Sequence, residues 1–185
     1  MRDDMKSMIT TIEKHYSYYQ QQAIANKVLH AISSVPRHEF GADYEDHAMS
    51  IGYKQTISQP FMVAIMTDII YKNSIDHDAI LEIGAGCGYQ CAILSKLYKQ
   101  VYGIERIQSL AKLANKNLAK NYNNVDIMHG NGYFGWTNNK QFSAIIVACG
   151  VQKDIPKNWH QQLKEGGILL APYTANAEDS LQLIA

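Results

Sequence analysis

The spacing of apolar residues predicts helices in the first part of the chain. Residues 4–14 and 20–32 are predicted as helices, and Ile24, Val28 and Ile32 recur on one side of the second. Pro60 is typical of a helix's first turn and predicts a third helix after it. Residues 41–59 show little periodicity, and an irregular segment of that length is often functional.

From residue 79 onward, apolar strands alternate with helices. Strands are predicted to begin at Ala79, Val101, Val125, Phe142 and Gly167. Helices are predicted at residues 89–97 and 108–122. This alternation predicts an α/β fold: a doubly wound, mostly parallel sheet with helices on both faces, preceded by extra N-terminal helices. We expect one domain, residues 1–185, in which residues 76–185 form the α/β core and residues 1–75 the helices and loop before it.

A glycine pattern follows the first of these strands. Gly84, Gly86 and Gly88 stand between the strand and a helix, where they leave backbone N–H groups free and let a ligand approach closely. Glu105 ends the next strand, and an acid there can accept hydrogen bonds from ribose hydroxyls. Together these features indicate a nucleoside site, although short glycine patterns also occur as plain turns.

Composition narrows the range of partners. Seventeen basic residues balance seventeen acidic ones, which disfavours electrostatic binding to nucleic acid or to a membrane surface. Charged residues interrupt the first twenty positions, and no later apolar run could span a bilayer. Three cysteines form no disulfide framework. We therefore expect a cytoplasmic monomer with neither a nucleic-acid nor a membrane partner. Cys87 and Cys91 are interpreted as buried cysteines, and no metal is expected.

Several longer segments resemble a known family. They are VPRHEF, IGYKQTISQPFMVAIMTDII, LEIGAGCGYQCAIL, VYGIERI, GNGYFGW and LKEGGILLAP, which extend from residue 35 to residue 172. On these segments, and from about Val28 to the C-terminus, the chain is similar to the protein-L-isoaspartate O-methyltransferases, class I methyltransferases that use S-adenosylmethionine. The resemblance implies methylation of the free α-carboxylate of L-isoaspartyl residues in damaged peptides and proteins, which initiates their repair and leaves S-adenosylhomocysteine.

The resemblance also implies roles for particular residues. Ser58, within TISQP, matches the family's active-site serine, although a serine before a proline is commonly a loop residue. Glu82 is expected to orient the glycine turn or approach the cofactor's ammonium, or else to be a structurally paired carboxylate. The residues expected to bind the cofactor are Gln55, Thr56, Ile57, Glu82, Gly84, Ala85, Gly86, Gly88, Glu105, Arg106, Asn131 and Gly132. The residues expected to bind the substrate are Ala48, Ile51, Gly52 and Ser58.

Two departures from the family pattern keep alternatives open. Asn131 stands where the family usually has an aspartate, which predicts somewhat weaker cofactor binding. Residues 181–184 can begin a further strand, but the family's last antiparallel strand is expected to be missing, leaving a sheet edge exposed. One alternative is therefore a non-catalytic or impaired S-adenosylmethionine-binding member of the fold. A nicotinamide-dependent oxidoreductase is disfavoured by the glycine spacing, and methylation of a nucleic acid or small molecule by the neutral charge and the TISQP segment.

Overall fold

The N-terminal part of the protein consists of helices and a small hairpin. The computed structural model describes residues 2–138, 140–152, 155–175 and 178–184. Its first helices are α1 (Asp3–Gln20), α2 (Asn26–Ser33) and α3 (Pro60–Asn73). Between α2 and α3 lie a 3-10 turn, Arg37–Phe40, and an antiparallel hairpin of strands β1 (Met49–Gly52) and β2 (Gln55–Ile57). Pro60 begins α3, as predicted.

The second predicted helix starts later than expected. Gln20 is the last residue of α1, and Gln21 ends that helix in the left-handed conformation, with φ of 52°. Helix α2 therefore begins only at Asn26. Ile24 is buried although it precedes the helix, so it contributed to the apolar pattern without being helical. The hairpin was not predicted because its strands are only four and three residues long.

The remainder of the chain forms a seven-stranded sheet with helices. Its strands are β3 (Ala79–Ile83), β4 (Gln100–Glu105), β5 (Val125–His129), β6 (Phe142–Val147), β7 (Val151–Gln152), β8 (Leu163–Ala175) and β9 (Glu178–Ile184). The helices are α4 (Tyr89–Leu94), α5 (Gln108–Leu118) and α6 (Lys157–Gln161). The strand order is β5-β4-β3-β6-β8-β7, with β9 also paired to β8. Pairing is parallel except between β8 and β9, which confirms the predicted fold class.

The strand that residues 181–184 were expected to begin is present, and it starts earlier, at Glu178. Strand β9 pairs antiparallel with residues 169–175 of β8, so that edge of β8 is covered. The sequence pattern indicated only residues 181–184 because residues 178–180 are polar. Strand pairing uses backbone N–H and C=O groups, and polar residues can therefore extend it.

The sheet separates two apolar clusters. On β3, Ile80 belongs to the cluster shared with the N-terminal helices, whereas Leu81 belongs to the cluster on the opposite face. Because both faces of a central parallel strand are buried, its sequence is mostly apolar rather than alternating, and in β3 the one polar residue is the buried Glu82. The carboxyl ends of β3, β4, β5 and β6 meet at one edge of the sheet, where the glycine turn lies. Among the helices of the described ranges, none is long and apolar enough to cross a membrane.

Candidate functional site

The glycine turn between β3 and α4 depends on backbone conformations that favour glycine. Gly84, Gly86 and Gly88 have φ values of 91°, 55° and 89°. The expectation that this turn offers free N–H groups is wrong for Gly84 and Ala85, which both donate to the carbonyl oxygen of Ile104, at 2.8 and 3.0 Å. The turn instead lies close to the hairpin, since a Cβ on Gly86 would approach Cδ1 of Ile51 to 3.3 Å.

Glu105 ties the glycine turn to the end of β4. Its Oε2 accepts from the N–H of Gly86 at 2.8 Å, and its Oε1 accepts from the N–H of Ile107 at 2.8 Å. An ionised carboxylate has about four acceptor positions, so these two bonds leave about two for a ligand. Glu105 is 6% exposed and lines a cleft of about 430 Å³. It can therefore accept ribose hydroxyls there while holding the turn.

The cleft brings together most of the predicted cofactor residues. The predicted residues that line it are Ile51, Gln55, Thr56, Gly84, Gly86, Glu105, Arg106, Asn131 and Gly132. Its volume is within the usual range for small-molecule sites. Trp159 fixes the Asn131–Gly132 corner, because its Nε1 donates to the carbonyl oxygen of Gly132 at 2.7 Å.

One wall of the cleft was not predicted. It follows β6 and is made by Ala148, Cys149, Gly150, Val151, Pro156 and Trp159, with Tyr133 beside it from the turn after β5. Residues 148–150 come directly after a strand's carboxyl end, where ligands bind in open parallel sheets, and that position was the available signal. Tyr133 is 59% exposed, whereas Trp136 packs against Tyr102 with ring centres 4.9 Å apart.

A small cavity of about 40 Å³ adjoins the cleft. Predicted residues on its wall are Thr56, Ile57, Ser58, Glu82, Gly84, Ala85 and Gly86. Thr56, Gly84, Gly86 and Ala148 line both spaces. Ser58 therefore lies beside the glycine turn, although 25 residues stand between it and Gly84 in the sequence.

Glu82 is almost completely buried beside this small cavity. The thiol of Cys91 donates to Oε2 of Glu82 at 2.7 Å, which gives the carboxyl group a partner within the protein. Burial raises the pKa of Glu82 to about 8, so its side chain is protonated in most molecules of the protein at neutral pH. This geometry supports a structurally paired carboxyl group, and it also places that group at the wall shared with Ser58.

Asp46, not predicted as a functional residue, holds the segment that carries Ser58, residues 41–59 (the Ser58 segment). Its Oδ1 accepts from the N–H of Phe61 at 2.8 Å, and its Oδ2 accepts from Nε2 of Gln59 at 2.9 Å. Both donors lie close to Ser58 at the start of α3. Asp46 thus fixes the segment against the helix by satisfying an N–H group of its first turn.

Three predicted residues border neither space. Gly88 lies against α5, where an added Cβ would meet Cδ1 of Leu118 at 3.0 Å, so its position serves helix packing. Ala48 is exposed before β1, and Gly52 is exposed at the end of that strand, with φ of 86°. Cys87 and Cys91 are buried, as predicted. In the part of the chain that the structure describes, no group of three or more His, Cys, Asp or Glu side chains could hold a metal ion.

Comparison with known proteins agrees with this geometry. The family model described as "Protein-L-isoaspartate(D-aspartate) O-methyltransferase (PCMT)" matches residues 5–185, beyond the region where the motifs indicated the resemblance. A protein-L-isoaspartate O-methyltransferase 2 of Nitrosococcus oceani is 40% identical over 171 residues, which cover 89% of this chain and 77% of that protein. A protein-L-isoaspartate O-methyltransferase of Pseudoalteromonas translucida is 43% identical over 153 residues, covering 79% and 71%.

Solved structures show the same fold. One described as a protein-L-isoaspartate O-methyltransferase from Plasmodium falciparum, in complex with S-adenosyl-L-homocysteine, has a TM-score of 0.85 at 21% identity, covering 98% of this chain and 89% of that one. Another protein-L-isoaspartate O-methyltransferase has a TM-score of 0.82 at 24% identity, and this chain covers 59% of its length. With the family model matching nearly its whole length, the chain belongs to the protein-L-isoaspartate(D-aspartate) O-methyltransferase family.

Proposed function

We propose that this protein transfers a methyl group from S-adenosylmethionine to the free α-carboxylate of L-isoaspartyl residues in damaged peptides and proteins. The observation that carries the proposal is the position of Ser58, in a small cavity that shares Thr56, Gly84 and Gly86 with the cleft. The relatives named for this activity cover most of the chain, and they favour methyl transfer over the nicotinamide alternative.

The cleft fits a nucleoside cofactor. Gly86 leaves room that a Cβ would fill, Glu105 retains acceptor positions for ribose hydroxyls, and the Oδ1 of Asn131 can accept from an adenine amino group. When bound, S-adenosylmethionine supplies a methyl group on a sulfonium sulfur, whose C–S bond breaks as the bond to the carboxylate oxygen forms. The buried carboxyl group of Glu82 borders the adjoining small cavity, where it can interact with the cofactor's ammonium group.

Ser58 suits a reaction that needs no strong base. A substrate carboxylate has a pKa of about 4, so it is already ionised and nucleophilic at neutral pH. What the protein must supply is orientation and exclusion of water. We assign to the Ser58 hydroxyl a hydrogen bond to one carboxylate oxygen, which a neutral donor can make without neutralising the nucleophile. Ile51 and the neighbouring residues of the hairpin are assigned to the substrate side.

We also infer that the working form is a monomer acting in the cytoplasm without a metal. One chain supplies Ser58, Glu105 and the whole wall of the cleft, which supports a complete site in each copy. Light scattering during gel filtration tests the monomer, with a mass of 20.8 kDa as the expected result.

Transfer of labelled methyl groups from S-adenosylmethionine to a short isoaspartyl peptide tests the proposed function. The same peptide with normal aspartate is the matched control, because it differs only in which carboxylate is free. We expect label in the isoaspartyl peptide alone. Cofactor binding measured by calorimetry without any transfer would instead support the non-catalytic alternative.

A further inference from the structure

Arg37 is a buried cation that the site described so far does not use. Its side chain is completely buried, at 0% exposure. Its Nε donates to the carbonyl oxygen of Asp43 at 2.9 Å, and its Nη2 donates to the carbonyl oxygens of Ser58 at 2.9 Å and His47 at 3.4 Å. Burying a charged group is costly unless its donors are satisfied, and these hydrogen bonds offset part of that cost.

All three acceptors belong to the Ser58 segment. They lie at residues 43, 47 and 58, so one side chain joins the beginning of the segment to the residue assigned to catalysis. A planar guanidinium can hold several carbonyl groups in a fixed arrangement, whereas a lysine ammonium is a compact charge on a flexible stem. The arrangement therefore requires arginine rather than any cation.

The guanidinium of Arg37 also lies over the ring of Tyr89, at the end of the glycine turn. Its Cζ is 5.1 Å from the centre of the Tyr89 ring, and Tyr89 is the first residue of α4, directly after Gly88. Tyr89 also borders the small cavity next to Ser58. Within the described part of the chain, Nη1 of Arg37 and the hydroxyl of Tyr89 are the two buried side-chain polar atoms without a hydrogen-bond partner. The guanidinium thus stands between the backbone of Ser58 and the helix that follows the glycine turn.

We propose that Arg37 is a positioning residue for methyl transfer, which holds the backbone of Ser58 at a fixed distance from the cofactor turn. This inference rests on the proposed function, because Arg37 acts through Ser58. Arg37 itself does not line the cofactor cleft. Loss of the guanidinium is therefore expected to lower kcat while the affinity for S-adenosylhomocysteine changes little.

The test compares Arg37→Lys with Arg2→Lys, a control at an exposed arginine that pairs with Asp4. We expect Arg37→Lys to lower kcat by about 10- to 100-fold, since small misplacements of reacting groups cost that much. Its affinity for S-adenosylhomocysteine is expected to stay within about threefold, because the cleft is intact. Arg37→Gln, which keeps amide donors without a charge, is the second variant should the lysine protein not fold. A kcat within twofold of wild type in the folded variant would overturn the proposal.

A double-mutant cycle separates positioning from a general structural role. If Arg37 acts through Ser58, Arg37→Lys has less than about a twofold further effect in a Ser58→Ala protein. The same loss in both backgrounds would contradict the proposal.

If the wild-type protein transfers no methyl group at all, the proposed function fails, and hydrogen exchange then tests the positioning role of Arg37. Exchange at residues 55–59 that accelerates in Arg37→Lys, without change in the β3–β6 sheet, supports the positioning role, and unchanged exchange overturns it.

Discussion

The cleft lies at the carboxyl edge of a regular sheet, whereas the Ser58 segment is irregular and is held mainly by side chains. Backbone pairing of β3, β4 and β6 fixes the position of the glycine turn and of Glu105. The Ser58 segment has only a short hairpin, and Arg37 and Asp46 supply the contacts around it. We propose a division of tasks, in which the sheet supplies most of the cofactor cleft and the Ser58 segment, whose Ile51, Gln55 and Thr56 also border the cleft, presents the carboxylate to it.

The largest predicted effect concerns Glu82, at the wall where the two regions meet. Its pKa is raised from an ordinary value of 4.5 to about 8, so the folded protein keeps a proton that the unfolded chain loses above pH 4.5. Stability from this group is therefore lost as the pH rises between those values. Relative to Glu82→Gln, the free energy of unfolding of the wild type is expected to fall by roughly 3 kcal/mol from pH 5 to pH 8. Urea denaturation without cofactor measures this, and parallel pH curves for the two proteins would contradict it.

Glu105→Gln tests whether the cleft depends on a carboxylate at the end of β4. One oxygen becomes an NH₂ group that faces the N–H of Gly86 or Ile107, so one hydrogen bond is lost. We expect roughly 30-fold weaker binding of S-adenosylhomocysteine, or about 2 kcal/mol. Calorimetry measures the affinity, with Glu165→Gln at an exposed position as the control. Equal affinities in the two variants would remove the assigned role of Glu105.

Gly86→Ala tests whether the cleft requires a residue without a side chain at the glycine turn. The matched control is Gly166→Ala, because both glycines have positive φ and an added Cβ at either lies 3.3 Å from an isoleucine methyl group. Both variants are expected to lose similar stability, about 1 kcal/mol. Only Gly86→Ala should weaken S-adenosylhomocysteine binding, by roughly tenfold, because only Gly86 lines the cleft. Similar losses of affinity in both proteins would show that backbone strain, rather than filling of the cleft, is responsible.

The smallest predicted effect concerns Asn131. Its Oδ1 accepts from the N–H of Tyr133 at 3.1 Å, and an aspartate at this position keeps that acceptor. Asn131→Asp restores the charge usual in the family and is expected to tighten S-adenosylhomocysteine binding about threefold, by about 0.6 kcal/mol. Asn121→Asp, at an exposed residue outside the cleft, controls for the added charge. Affinity that is unchanged or weaker in Asn131→Asp would show that the asparagine is not a disadvantage.

The comparison also explains what the sequence could predict. Buried parallel strands leave continuous apolar runs, so β3, β4 and β6 and the turn after β3 were found from the pattern alone. The wall after β6 was missed because residues 148–150 carry no recognisable motif. Arg37 and Asp46 were missed for a different reason. Arg37 binds backbone carbonyl groups, which every residue has, and Asp46 binds one backbone N–H group and one glutamine side chain, so neither set of partners leaves a periodicity or composition signal. Ser58 was located through the TISQP resemblance rather than through its own spacing.

The most direct test of the division between the two regions is Ser58→Ala, assayed in parallel for cofactor affinity and methyl transfer. Ser58 lines only the small cavity, so the cleft should be intact in this variant. We predict S-adenosylhomocysteine affinity within about twofold of wild type and methyl transfer to the isoaspartyl peptide reduced by about 100-fold or more. Unchanged transfer would contradict the role of Ser58, and a parallel loss of affinity and transfer would contradict the separation of the two regions.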